Sequence, residues 1–197
     1  MRNYAKLFLY ILLCYTTVSQ ASAESLYIAI DVGQTSASKA CYTDGIPGSI
    51  TVTGCKEKAT LFRVSGGYQF DPLWGAEISY GDYGKGKLGT ATVPGLGVIN
   101  LGDWQFIGFE IAGTATFPYS DAFSLTGKIG FAQTTIKFTR ISMSATSTNL
   151  AYGIGAQYTL SHCIAIRAQF ENLGVVGDNN TGTAKLVLLS AGIISRF

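Results

Sequence analysis

Long apolar runs, charge and histidine are what this 197-residue chain has least of, and each shortage removes a class of protein. Beyond Ala23 no continuous apolar stretch approaches the ~20 residues that a membrane-spanning helix needs, which excludes a helical bundle in the bilayer. Charged residues make up 13% of the chain, the formal net charge is +2 and no basic cluster stands out, so nucleic acid is not an expected partner. The one histidine, His162, sits between Ser161 and Cys163. Nucleophilic catalysis needs a base within reach of its nucleophile and a third group to orient it. No acidic residue adjoins His162 in sequence, although Asp71 and Asp121 fall in turns expected on the same side. His162 therefore reads as a solvated turn residue, and no catalytic residue or cofactor site is assigned. Cysteine is sparse as well: His162 and Cys163 lie far in sequence from Cys41 and Cys55, a poor match to metal-ligand spacing, so no metal site is assigned either.

What is present begins with an export signal. Arg2 and Lys6 give a positive start, Leu7 to Val18 an apolar centre and Ala21-Ser22-Ala23 a small-residue cleavage site. Residues 1–23 are read as a cleaved signal peptide and 24–197 as one domain. Cys14 does not make it a lipoprotein signal, because Leu13 stands where a small residue is expected. An exported chain meets an oxidising compartment. Cys41 and Cys55 flank a Gly/Pro/Ser/Thr-rich stretch, and a disulfide between them would contribute on the order of 3 kcal/mol; Cys163 is left unpaired. The rest is apolar, at 47%, with 24 glycines, 11 Tyr and 11 Phe. An exported chain this apolar without a spanning helix needs somewhere to bury that surface, and a closed barrel is the other fold that satisfies every backbone group in lipid.

Eight segments of roughly 10 to 14 residues alternate apolar and polar side chains with period two, the pattern of barrel strands. They are Leu26 to Gln34, Ala59 to Phe70, Trp74 to Asp82, Trp104 to Phe117, Ala122 to about Lys137, Asn149 to Leu160, Ile164 to about Leu173, and Ala184 to Phe197. One parity is apolar or small: Leu26, Ile28, Ile30 and Val32 in the first, Leu150, Tyr152, Ile154, Tyr158 and Leu160 in the sixth. The other parity carries Asp31, Arg63, Glu77, Glu110, Lys128, Arg167, Glu171 and Arg196. A soluble sheet turns its apolar face inward; here the charges must be inside and lipid outside, since an Arg or Lys in mid-bilayer costs ~2–4 kcal/mol. A soluble lipocalin-like barrel is the rival, and its interior should be apolar.

The intervening segments alternate long and short. Thr35 to Lys58, a Gly-rich stretch up to about Asp103, a Ser/Thr-rich stretch around Arg140 to Thr148, and Gly177-Asp178-Asn179-Asn180 are read as long loops. Asp71-Pro72, Pro118-Tyr119-Ser120-Asp121 and Ser161-His162-Cys163 are tight turns. Outer-membrane barrels put long loops outside and short turns in the periplasm, which places both chain ends on the periplasmic side. Phe70, Trp74, Phe117, Tyr119, Tyr158 and Phe197 gather near the short turns, where an interfacial girdle belongs.

Gly66-Gly67-Tyr68-Gln69-Phe70, Ala76-Glu77-Ile78-Ser79-Tyr80, Gly127-Lys128-Ile129-Gly130, Tyr152-Gly153-Ile154-Gly155-Ala156-Gln157-Tyr158 and the closing Leu188 to Phe197 together resemble the outer membrane protein A-type eight-stranded barrel, over essentially all of Ser25 to Phe197. The resemblance implies that Phe197, with alternating apolar residues behind it, is the signal read by the barrel-assembly machinery; Ser195 departs from the pattern, standing where the family often has an aromatic. Larger members carry a peptidoglycan-binding domain after the barrel, and their cell-wall role is not carried over to this chain.

The expected fold is all-β: an eight-stranded antiparallel up-and-down transmembrane β-barrel in the outer membrane of a Gram-negative cell. Glu77, Glu110, Lys128 and Arg167 fall at middle positions of their strands, in a lumen only about wide enough for side chains to fill it. They are expected to form a polar ion network that plugs it, the alternative being a gate for small solutes in which Lys128 or Arg167 exchanges carboxylate partners. A lipid-modifying enzyme would have to use His162. Four polar loops on a rigid sheet suit recognition, and the loop between Cys41 and Cys55 is the candidate contact surface. The expected role is structural or surface-interacting without catalysis, with lipid, the assembly machinery and an extracellular ligand as partners, and a monomer as the state.

Overall fold

Alternation along a strand becomes two faces once neighbouring strands pair in register, and the computed structural model, which describes residues 25–38, 51–95, 97–138, 144–178 and 182–197, is built on that rule. Nine strands form: β1 (Ser25–Ser38), β2 (Thr51–Thr53), β3 (Lys58–Gln69), β4 (Trp74–Val93), β5 (Gly97–Pro118), β6 (Phe123–Phe138), β7 (Ser144–Ser161), β8 (Ile164–Asp178) and β9 (Gly182–Arg196). Every pairing is antiparallel. The order β4-β3-β1-β9-β8-β7-β6-β5 closes through a β4–β5 pairing, which makes an eight-stranded barrel with β2 attached beside β4. Closure removes both sheet edges, and with them the unpaired backbone groups that hydrocarbon would penalise. The residues read as the signal peptide lie outside the described residues.

The outer wall is apolar. Leu26, Ile28, Ile30, Val32, Phe62, Ile78, Ile111, Phe131, Ile154, Leu189 and Ile193 are all exposed, while their neighbours on the other parity are buried or half-buried. The short turns are tied by single side chains: Asp71 Oδ1 accepts from the amides of Leu73 and Trp74, both at 2.7 Å, and Ser120 Oγ accepts from Phe123 N at 3.1 Å. These are the local acceptors that Asp and Ser bring to turns.

At the opposite end the strands run further than their sequence suggests. The stretch from Tyr83 to Asp103, expected as a Gly-rich loop, is instead a continuation of the β4–β5 hairpin, with Lys85 opposite Gln105 and Val93 opposite Gly97. Glycines had hidden the alternation. They occupy the irregular points of the ladder: Gly84 (φ 95°) lies in the register shift between Asp82 and Lys85, and Gly89 (φ 85°) in the next, conformations that a side chain would strain. β2 adds a third strand by pairing Thr51 to Thr53 with Thr92 to Thr90. The first and third loops are likewise shorter than expected, since β1 runs on to Ser38 and β7 begins at Ser144.

Glycine also has a packing role inside the barrel. Tyr27 lies opposite Gly67, and a Cβ there would sit 2.1 Å from the tyrosine ring; Trp104 lies opposite Gly86, where a Cβ would come within 2.0 Å of the indole. The bare backbone of one strand is the floor on which the aromatic ring of the next is laid, a pairing that sets both register and ring orientation.

Candidate functional site

The inward parity brings charged side chains from six strands to one level of the lumen. Asp31 (β1), Arg63 (β3), Glu77 (β4), Glu110 (β5), Lys128 (β6), Arg167 and Glu171 (β8) are all buried. Arg167 grips Asp31 with two nitrogens, Nε to Oδ1 at 2.7 Å and Nη2 to Oδ2 at 2.6 Å, and donates through Nη1 to Glu77 Oε2 and through Nη2 to Ser65 Oγ at 3.1 Å. Arg63 reaches Glu171 through two nitrogens, at 2.7 and 2.6 Å, and donates to Asp31 Oδ2 at 3.2 Å and Gln169 Oε1 at 2.8 Å. Lys128 Nζ stands among three carboxylates: Glu171 at 3.0 Å, Glu110 at 3.1 Å and Glu77 at 3.2 Å. The Tyr27 hydroxyl donates to Glu77 Oε2 at 3.1 Å.

The structure thus brings the four sequence-derived network residues together. Asp31, Arg63 and Glu171 join them at equal depth; their inward parity was the signal that marked them. Arg196 stays apart, half-buried at the short-turn end. The chemistry is charge-assisted hydrogen bonding in fork geometry, the strong form of such contacts. Four carboxylates share three cations, and Glu110 is the least compensated, its only other cation being Arg63 Nη1 at 3.9 Å. The network locks strands to one another across the lumen rather than along the ladder. Gly192 makes room for it, since a Cβ there would lie 2.2 Å from Asp31 Oδ1.

Above this ionic level, toward the long-loop end, the interior turns apolar. Leu61, Tyr83, Trp104, Phe106, Leu173 and Leu186 are fully or almost fully buried in one cluster, with the Trp104 and Phe106 rings 4.9 Å apart between centroids. This corrects the expectation of a polar lumen throughout. Apart from Arg196 near the short turns, the charges of the described inward parity are confined to the middle level, and the upper level is filled by large side chains that exclude water as a core does. A smaller apolar group, Tyr27, Ala29, Ala165 and Ile194, lies below.

The remaining sequence-derived residues lie at the ends. Phe197 is exposed at the short-turn rim, and its amide donates to Leu26 O at 2.9 Å. His162 is exposed in its turn. Cys41 lies outside the described residues, so its bond to Cys55 remains an expectation. No described cysteine is a free thiol, which corrects the reading of Cys163 as unpaired: an oxidising compartment favours thiol pairing.

Comparison with known proteins follows the same geometry. Over residues 7–192 the chain matches the family described as outer membrane protein beta-barrel domain. Among solved structures, Ail, the attachment invasion locus protein of Yersinia pestis, in complex with the heparin analogue sucrose octasulfate, is similar at TM-score 0.55 and 19% identity, covering 89% of this chain and 100% of that one. Neisserial surface protein A is similar at TM-score 0.56 and 14% identity, with 89% and 100% covered. The outer membrane protein OprG from Pseudomonas aeruginosa gives TM-score 0.55 and 15% identity, with 89% and 98% covered. No curated protein matches the chain. At these identities the likeness to solved structures is one of fold, and the family match carries the assignment. The chain belongs to the outer membrane protein β-barrel domain family, an outer-membrane protein whose eight-stranded barrel encloses an ionic centre beneath an apolar cluster.

Proposed function

We propose that this protein is a sealed outer-membrane scaffold that acts through what it presents outside the cell, without catalysis or transport. It is exported by cleavage after Ala23, delivered by the barrel-assembly machinery through its Phe197 terminus, and embedded as a monomer in outer-membrane lipid. The observation that carries this reading is the filling of the lumen. An ion network joins β1, β3, β4, β5, β6 and β8, and an apolar cluster closes the long-loop side above it. Among the described residues, Leu61, Phe106 and Leu186 fill the lumen above the ion network and the β4–β5 hairpin extends beyond it, a rigid base on which the loop between Cys41 and Cys55 is expected to be presented.

Planar-bilayer recording tests the sealed lumen: the wild type and Lys128→Ala should both leave ion flux at the lipid-only baseline. A gate worked by Lys128 requires the variant to conduct, and that result would overturn the reading. Surface interaction is tested by adhesion of cells carrying the protein to sulfated-glycan coatings, a probe suggested by the sulfated ligand bound to Ail. Loss of binding on deleting the hairpin tip or the loop between Cys41 and Cys55 supports the assignment; adhesion that survives both deletions removes it.

A further inference from the structure

The lysines are not scattered. Among the exposed residues, Lys58, Lys85, Lys87, Lys137 and Lys185 lie on the outward parity of their strands at the long-loop end, beyond the apolar band, and Lys56 lies just before β3. At the short-turn end the exposed charged side chain among the described residues is an acid, Asp121. With long loops outside, this collar meets the headgroups of the outer leaflet.

One seam of the collar has the shape of a site. Between β3 and β4 a groove of about 420 Å³ is lined by Val32, Phe62, Thr60, Asp82, Gly84 and Lys85. Its floor is outward apolar surface continuous with the lipid belt, and its rim is cationic. Lys58 is the outward residue of β3 next beyond Thr60, and the Lys56 amide donates to Lys87 O across the same seam at 2.9 Å. The acids nearby are accounted for. Asp82 accepts from Gly84 N at 2.9 Å and from Gln105 Nε2 at 2.8 Å, Asp103 stands opposite Lys87, and Glu57 is half-buried. Neither Lys58 nor Lys85 has an ion-pair partner among the described residues.

We infer that the β3–β4 seam seats a phosphorylated glycolipid of the outer leaflet, its phosphate between Lys58 and Lys85 and the first carbons of an acyl chain over Phe62 and Val32. The assignment follows from complementarity at both levels: two ammonium groups at headgroup height that form no ion pair among the described residues, the one carboxylate of the lining, Asp82, being engaged by Gly84 and Gln105, and an apolar trough directly beneath them. Basic residues at a membrane surface attract anionic headgroups, each by a factor of about five in affinity.

The test uses the full-length protein folded in dodecylphosphocholine micelles. Retention of diphosphoryl lipid A is compared with retention of its dephosphorylated form by native mass spectrometry. K58S and K85S should each weaken retention about fivefold and the pair about 30-fold, while K185S, on the same collar but away from the groove, stays within twofold of wild type. Heat-modifiable gel migration verifies that each variant is folded. As a second readout in the wild type alone, retention should fall steeply between 50 and 500 mM salt. Equal retention of the dephosphorylated lipid, an effect of K185S as large as that of K58S, or full displacement by millimolar inorganic phosphate would each overturn the assignment.

Discussion

Replacing Lys128 with methionine takes one ammonium group away from three carboxylates at once. Glu77, Glu110 and Glu171 each stand 3.0–3.2 Å from Nζ, and all are buried. At an effective dielectric of about 20, a unit pair at that distance attracts by about 5 kcal/mol, so the gross loss is large. The cost of desolvating the lysine disappears with it, and breaking a buried pair by removing one partner nets about 3–5 kcal/mol. Methionine keeps the stem volume, so the change is electrostatic rather than a cavity. Urea unfolding in lipid vesicles, followed by tryptophan fluorescence, should show the midpoint falling by about 2 M for an m-value near 2 kcal/mol/M. Glu110 has the fewest other partners, so Lys128→Met/Glu110→Gln should regain about 1–2 kcal/mol of that loss, as coupled neighbours do. A midpoint shift under about 0.3 M for Lys128→Met, or a double variant no more stable than the single, would refute the claim that this ammonium holds the lumen together.

Three further outcomes are expected. Gly86→Ala should cost about 1–3 kcal/mol and reduce the near-ultraviolet circular dichroism of the indole, because the new methyl meets the Trp104 ring. Deleting Phe197 should slow barrel assembly in cells yet leave refolding yield in detergent unchanged, which pulse-chase fractionation and in-vitro gel migration separate. Cys55→Ser should lower stability by about 3 kcal/mol, and adding reductant to the wild type should lower it by at least as much, because the thiol pairing of Cys163 is lost as well.

The wall of the barrel was readable because lipid enforces it. Every outward position from Leu26 to Val32 must be apolar and every charge must turn in, so period two survives in residues such as Leu150, Tyr152 and Ile154. Two regions escaped that logic. Above Asp82 the strands leave the bilayer, the outward face is free to be polar, and glycines at bulges shift the parity, so Tyr83 to Asp103 resembled a loop. Within the lumen, the rule that charges lie inside has no place for Leu61, Phe106 or Leu188. The clue lay in Leu186-Val187-Leu188-Leu189, where both parities are apolar at once; a stretch greasy on two faces must have lipid on one side and a dry core on the other. Which charges would meet was legible by height only in part, because β8 supplies both Arg167 and Glu171 to a centre fed by single residues elsewhere.

The β4–β5 hairpin, whose strands run 20 and 22 residues, has a reach that can be estimated. At ~3.3 Å per residue and a tilt near 45°, a strand of that length climbs roughly 45 Å, of which the hydrocarbon band occupies about 25 Å. Pro94 and Gly95 therefore crown a mast standing about 20 Å clear of the acyl region, braced on one flank by β2. A receptor too bulky to approach the bilayer itself can still meet that tip, and meets it already ordered, so engagement forfeits little chain entropy.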